Sequence, residues 1–94
     1  MLTFEWDEQK NRRNKAKHGI SFERARAVFA DSAAKDFLDD RDDYGEERWL
    51  TVGMAQGELL AVVNVQRGDR YRIISARKAT REETHAYFEN ASRT

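Results

Sequence analysis

The chain has 94 residues, 39% hydrophobic and 36% charged, with 17 basic residues balanced by 17 acidic ones. That length allows a single domain over residues 1–94, near the lower limit for folding without cross-links, and the absence of cysteine excludes disulfides and thiolate metal sites. The longest apolar stretch, Leu59 to Val63, falls far short of the roughly 20 residues that cross a bilayer, and the first residues lack a signal-peptide core, so a soluble, unprocessed, cytoplasmic protein is expected, with no membrane partner.

The neutral total conceals segregated blocks. Lys10, Arg12, Arg13, Lys15 and Lys17 crowd one segment, and Arg67, Arg70, Arg72, Arg77, Lys78 and Arg81 crowd another. Between them, Asp36, Asp39, Asp40, Asp42, Asp43, Glu46 and Glu47 stand against Arg41 alone. Such blocks polarise a surface, or else decorate solvated loops.

Phe4-Glu5-Trp6 reads as a short extended lead-in, and Asp7 caps a helix running to about Lys17, stopped by His18-Gly19. On this helix Trp6, Lys10, Asn14 and Lys17 or His18 recur at spacings of four and three, giving one face rich in chemistry and poor in apolar mass. Ser21 caps a second helix whose Phe22, Ala25, Val28 and Phe29 recur at core spacing. Lys35 to Leu38 reads as a charged edge strand, followed by an acidic loop to Gly45.

Strands are then expected over Arg48 to Met54, Leu59 to Gln66 and Arg70 to Lys78, with turns at Gln56-Gly57 and Arg67-Gly68-Asp69, which implies an antiparallel meander. Thr80, with Glu83 three residues on, opens a last helix through about Asn90. The fold class is α+β: two N-terminal helices on a small antiparallel sheet, with a C-terminal helix.

His18 and His85 lie in different elements, with no carboxylate cluster at metal spacing, so neither a metal nor another cofactor is expected. His85 reads as a surface residue, whereas His18, ending the first helix beside Lys17, is suited either to capping through the helix dipole or to proton transfer. No phosphate loop, nucleophile elbow or Ser/His/Asp signature is present, which removes kinases, nucleotide hydrolases and α/β-hydrolases. What remains is a set of arginines along the last strand, suited to gripping a phosphodiester or to guarding a sheet edge. In a regular strand Arg72 and Arg77 face opposite ways, so they share a site only if a bulge intervenes or the strand has already ended by Arg77. Arg77, at the strand end, is the favoured phosphate ligand.

Three blocks in order resemble the BrnT ribonuclease toxins of type II toxin–antitoxin systems. They are Phe4-Glu5-Trp6-Asp7 with Lys10, Asn14 and Lys17-His18-Gly19-Ile20-Ser21-Phe22; Gly45-Glu46 with Arg48, Thr51 and Gly53; and Arg72 to Arg77 followed by Ala79-Thr80, Glu83 and Tyr87. Ile20, where valine is common, departs from the pattern without removing a functional group. The resemblance implies a RelE-like microbial ribonuclease fold, an RNA substrate, and a BrnA-like ribbon-helix-helix antitoxin through which the complex binds promoter DNA.

For metal-independent cleavage by attack of the ribose 2′-OH, a base, an acid and cations are required. Arg77, His18, Arg72 and Lys17 are the candidate catalytic residues, with Glu46 as a weaker candidate for proton transfer. Lys10, Arg48, Arg67 and Trp6 are the candidate substrate contacts; Trp6 is suited to stacking a base or to plain packing. The alternative reading is a module that binds RNA or protein without cutting. A DNA-binding regulator is disfavoured because no helix-turn-helix pair is present.

Overall fold

The computed structural model describes residues 1–91. The elements in chain order are β1 (Thr3–Glu5), α1 (Glu8–His18), α2 (Phe22–Ala25) running into a 3₁₀ helix (Arg26–Ala30), β2 (Lys35–Asp39), β3 (Arg48–Ala55), β4 (Glu58–Arg67), β5 (Arg70–Lys78) and α3 (Arg81–Ala91). The local signals act as expected. Asp7 Oδ1 accepts from the amides of Gln9 (2.8 Å) and Lys10 (3.3 Å), Ser21 Oγ accepts from Arg24 N (3.1 Å), and Thr80 and Glu83 exchange reciprocal bonds of 2.8 and 3.2 Å. None of the described helices is long and apolar enough to cross a membrane.

The five strands form one sheet in the order β1-β5-β4-β3-β2. β2 to β5 are antiparallel as expected, but β1 lies parallel to β5, with Phe4 opposite Tyr71, so the sheet is mixed rather than antiparallel. Tertiary packing draws β1 there: the Phe4 ring meets Phe29 at 5.4 Å and Tyr71 at 6.2 Å, and Phe29 meets Tyr71 at 5.2 Å. A three-residue strand carries no turn and no alternation to announce such a partner.

The second helix also differs from expectation, because it tightens after one turn. Phe22, Ala25 and Val28 are all fully buried at intervals of three, a spacing that a 3₁₀ helix keeps in line and an α-helix rotates away. They pack with Ile20, Leu60, Val62, Ile73 and Ala76 on one face of the sheet, while Tyr87 of α3 packs with Val52 and Ala61 on the other. Val28 is pressed against β3 at Gly53, where an added Cβ would lie 2.9 Å from Val28 Cγ1 and 3.1 Å from Val28 O. Gly53→Ala is therefore expected to destabilise the fold by about 1–3 kcal/mol, read from the denaturant midpoint.

Helix α1 has no apolar stripe, and two buried asparagines hold it instead. Asn11 Oδ1 accepts from Phe22 N (2.8 Å), and its amide donates to Glu8 and Glu23. Asn14 donates to Ile20 O and Ala76 O (both 2.8 Å) and accepts from Ala76 N (3.1 Å). Past Glu5, β1 no longer covers β5, so the Asn14 amide takes the place of a strand neighbour at Ala76.

On the far side, Asp31 joins three elements. It accepts from Ala33 N (2.9 Å), Met54 N (2.8 Å) and Tyr87 Oη (2.7 Å). Burial pushes its carboxyl up, but the bonds from Met54, Tyr87 and Ala33 outweigh this and leave it below its ordinary value of 3.8. Asp31 in turn pushes the Tyr87 hydroxyl up to about 12. A depressed carboxylate contributes stability above its unfolded value and loses it as pH falls through the folded one, here below about pH 4. Asp31→Asn is expected to cost about 1–3 kcal/mol at neutral pH and to flatten the fall of Tm on acidification; a parallel pair of Tm curves would count against this assignment.

Candidate active-site cleft

Where α1 runs beside the outer edge of β5, two adjoining hollows open along the seam. One, of about 360 Å³, is lined by Trp6, Lys10, Arg48, Arg72 and the backbone segment Ile73–Ile74, with Glu5, Asp7 and Glu46 on its walls. The other, of about 330 Å³, is lined by Lys10, Arg13, Asn14, Lys17, His18, Ile74 and Ser75. Lys10 and Ile74 belong to both, so the hollows form one cleft. The basic segments of the sequence, far apart along the chain, meet here.

A bulge shapes this edge. Between Val63–Ser75 and Asn64–Ile73 the β4–β5 pairing slips, leaving Ile74 as the extra residue. The slip places Arg72 and Arg77 on one face of the sheet, meeting the condition set by strand parity. They nonetheless part company. Arg77 lies under the start of α3, where its guanidinium makes a bidentate pair with Glu83 at 2.8 and 2.9 Å. The Glu83 bond holds Arg77 above its ordinary value despite burial, and the Arg77 bond holds Glu83 below the usual carboxylate range.

The cleft arginines are tied more loosely. Arg72 Nε lies 3.6 Å from Glu5 with both side chains about half exposed, Arg48 Nε lies 3.7 Å from Glu46, and Arg67 Nη2 lies 3.4 Å from Glu46 at the rim. Arg48 also stacks 4.1 Å over the Tyr44 ring. The arginines of the Arg72–Glu5 and Arg67–Glu46 pairs are 51% and 70% exposed, and pairs of that kind contribute about 0–1 kcal/mol; Arg48 and Glu46 are more enclosed, each 23% exposed. The bidentate pair of Arg77 with Glu83, at shorter distances and with the Glu83 side chain only 15% exposed, is a firmer commitment.

The structure thus brings together Trp6, Lys10, Lys17, His18, Arg48 and Arg72, sets Arg67 beside Glu46, and puts Arg77 in a different hollow. Trp6 packs at 6.1 Å against Phe22 and donates from Nε1 to Glu8 (3.1 Å) while lining the cleft. Its packing and its access to the cleft coexist. His18 closes α1 just before Gly19, whose left-handed φ of 73° ends the helix, and its ring lines the second hollow. His85 is 83% exposed on α3, 3.7 Å from Glu89. Arg13 and Ser75 are cleft residues that the sequence reading did not single out; Arg13, three residues after Lys10 and four before Lys17, carried the helical spacing that would have found it. Among the described residues, no group of three His, Asp or Glu side chains could hold a metal ion.

No curated protein matches the chain. A family model described as ribonuclease toxin, BrnT, of type II toxin-antitoxin system matches residues 6–83. That span takes in the cleft residues from Trp6 to Ser75 and the Arg77–Glu83 pair, with Glu5 just outside it. With most of its length matched, and with both walls of the cleft inside the match, the chain belongs to the BrnT family of ribonuclease toxins.

Proposed function

We propose that the α1–β5 cleft binds single-stranded RNA and cleaves it without a metal ion, by attack of a ribose 2′-OH on the adjacent phosphorus. The observation that carries this reading is the convergence of His18, Lys17, Lys10 and Arg72 on one cleft along a strand edge. In this scheme His18 transfers the proton, as base toward the 2′-OH or as acid toward the leaving 5′-oxygen. Arg72 and Lys10 counter the charge that develops on the phosphorane, with Lys17, Arg48 and Arg67 gripping flanking phosphates. Trp6 offers the cleft an aromatic ring for an unpaired base.

The antitoxin partner is proposed to be a BrnA-like ribbon-helix-helix protein that carries the promoter-DNA contacts, and the fold a variant of the RelE-like ribonucleases in the cytoplasm. On this reading Arg72, rather than Arg77, is the leading phosphate ligand, because Arg77 is already engaged by Glu83. Arg72→Ala is expected to lower cleavage about 10- to 100-fold, and Arg77→Ala to leave it within about threefold while lowering Tm. The reverse order would restore Arg77 to the site. The direct test is incubation of the purified protein with labelled RNA in EDTA. New ends bearing 2′,3′-cyclic phosphate support the mechanism; a strict need for divalent metal, or cleavage of an all-2′-deoxy substrate, defeats it. RNA bound and never cut would favour the non-catalytic module.

A further inference from the structure

On the face of the sheet under α3, the helix leaves part of the surface open. Between α3 and the edge strand β2 runs a groove of about 540 Å³ lined by Phe37, Leu50, Glu82, Glu83, His85 and Ala86. It continues into a smaller hollow, of about 210 Å³, that shares Phe37, Leu50 and Glu83 and adds Leu38, Asp39, Asp40, Arg41 and Arg77. The floor is apolar and Leu38 beside it is 52% exposed. Arg77 and Arg41 are taken up by Glu83 and by buried Asp39, which leaves exposed Glu82 and Asp40 as the acidic groups of the rim.

We propose that this groove seats an amphipathic segment of the antitoxin, apolar on the side that enters and basic along its flanks, at a surface separate from the RNA cleft. The proposal rests on the toxin reading only for the existence of a protein partner. Charge complementarity selects the occupant. RNA phosphates would meet Asp40 and Glu82, so nucleic acid is repelled where the cleft attracts it. A second copy of this chain, docking by two-fold symmetry, would set the same acidic rims against each other. A basic segment with apolar anchors satisfies both the floor and the rim.

The location also connects docking to neutralisation. The loop after β2 begins with Asp40 and Arg41 at the groove and reaches Glu46 at the RNA cleft, where Glu46 faces Arg48 and Arg67. A partner anchored in the groove therefore lies against the loop that borders the cleft, and its next residues reach the RNA-binding side over a short path.

The test uses the full chain and a purified BrnA-like ribbon-helix-helix antitoxin, with affinity read by calorimetry. Ala86→Arg and the Glu82→Lys/Asp40→Lys pair are each expected to weaken binding at least tenfold, with binding to the parent chain falling as salt rises. Circular dichroism checks that each variant is folded, and free-toxin cleavage of RNA is expected to stay within twofold. Arg72→Ala, in the cleft, is expected to leave antitoxin affinity within about threefold. Unchanged affinity in both groove variants, or loss of affinity only in Arg72→Ala, would overturn the proposal. So would a dimer of the parent chain in sedimentation that Ala86→Arg dissociates. Failure of RNA cleavage with antitoxin binding intact would strike the proposed mechanism and leave this surface standing.

Discussion

His18→Ala is expected to cut RNA about 10²- to 10⁴-fold more slowly than the parent protein, while His85→Ala cuts at the parental rate. Each substitution removes one of the two imidazoles in the chain, but only His18 lines the cleft, among Lys10, Arg13, Lys17 and Ser75. The rate–pH profile carries the sharper information. A side chain that transfers the proton shapes the pH dependence of single-turnover cleavage, so the profile of His18→Ala should differ in shape from that of the parent. A purely capping role gives a different signature: stability falls by a fraction of a kcal/mol, in keeping with a cation at an exposed helix C-terminus, and the profile keeps its shape. Parental cleavage by His18→Ala would remove the residue from the chemistry.

The second large effect concerns Asn14. Asn14→Ala is expected to cost about 2–4 kcal/mol, since it leaves the buried backbone N–H and C=O of Ala76 without their partner. Against a total stability of about 5–15 kcal/mol for a domain of this size, that is a large share. Asn14→Asp separates hydrogen bonding from shape. It keeps an acceptor for Ala76 N but turns a donor toward Ile20 O and Ala76 O into a carboxylate oxygen, both carbonyls standing 2.8 Å away. Its destabilisation is expected to match or exceed that of alanine at neutral pH and to shrink as acid protonates the new group. Equal stability of Asn14→Asp and the parent at neutral pH would mean that the amide does not hold the helix.

Both expectations trace to how differently local and distant signals were written in the sequence. Asp7, Ser21 and the Thr80/Glu83 pair announce helix starts because a cap acts within three residues, and the structure realises all three. The hairpin at Gln56-Gly57 is equally local, with φ of 52° and 82° at its two central residues. The parallel docking of β1 on β5 was not legible, because what selects that edge is the meeting of Phe4, Phe29 and Tyr71 across most of the chain. The short second helix hid in the same way: an interval of three inside Phe22, Ala25 and Val28 reads as half of an α-helical pattern until Phe29 is seen only partly buried.

The site was legible as a set of residue types and less so as an arrangement. The α1 face carried Lys10, Lys17 and His18 by periodicity alone. Strand parity correctly stated that Arg72 and Arg77 needed a bulge to share a face, and the bulge at Ile74 supplies it. What parity omitted was α3. Glu83 was recognised for its bond to Thr80, yet the same carboxylate also takes the Arg77 guanidinium, so the side chain that anchors the helix start withdraws the strand-end arginine from the open cleft.

Strand edges are hazardous places to put a binding site, since exposed N–H and C=O groups invite the strand of another molecule. Here the catalytic candidates lie along such an edge. At Ala76, a side-chain amide from a helix has already occupied both backbone groups, and two residues before it Ile74 interrupts the regular ladder. A second toxin molecule arriving in extended form therefore finds no continuous row of partners to zip along. The asparagine that holds a polar helix in place thereby denies an incoming strand both backbone groups of Ala76.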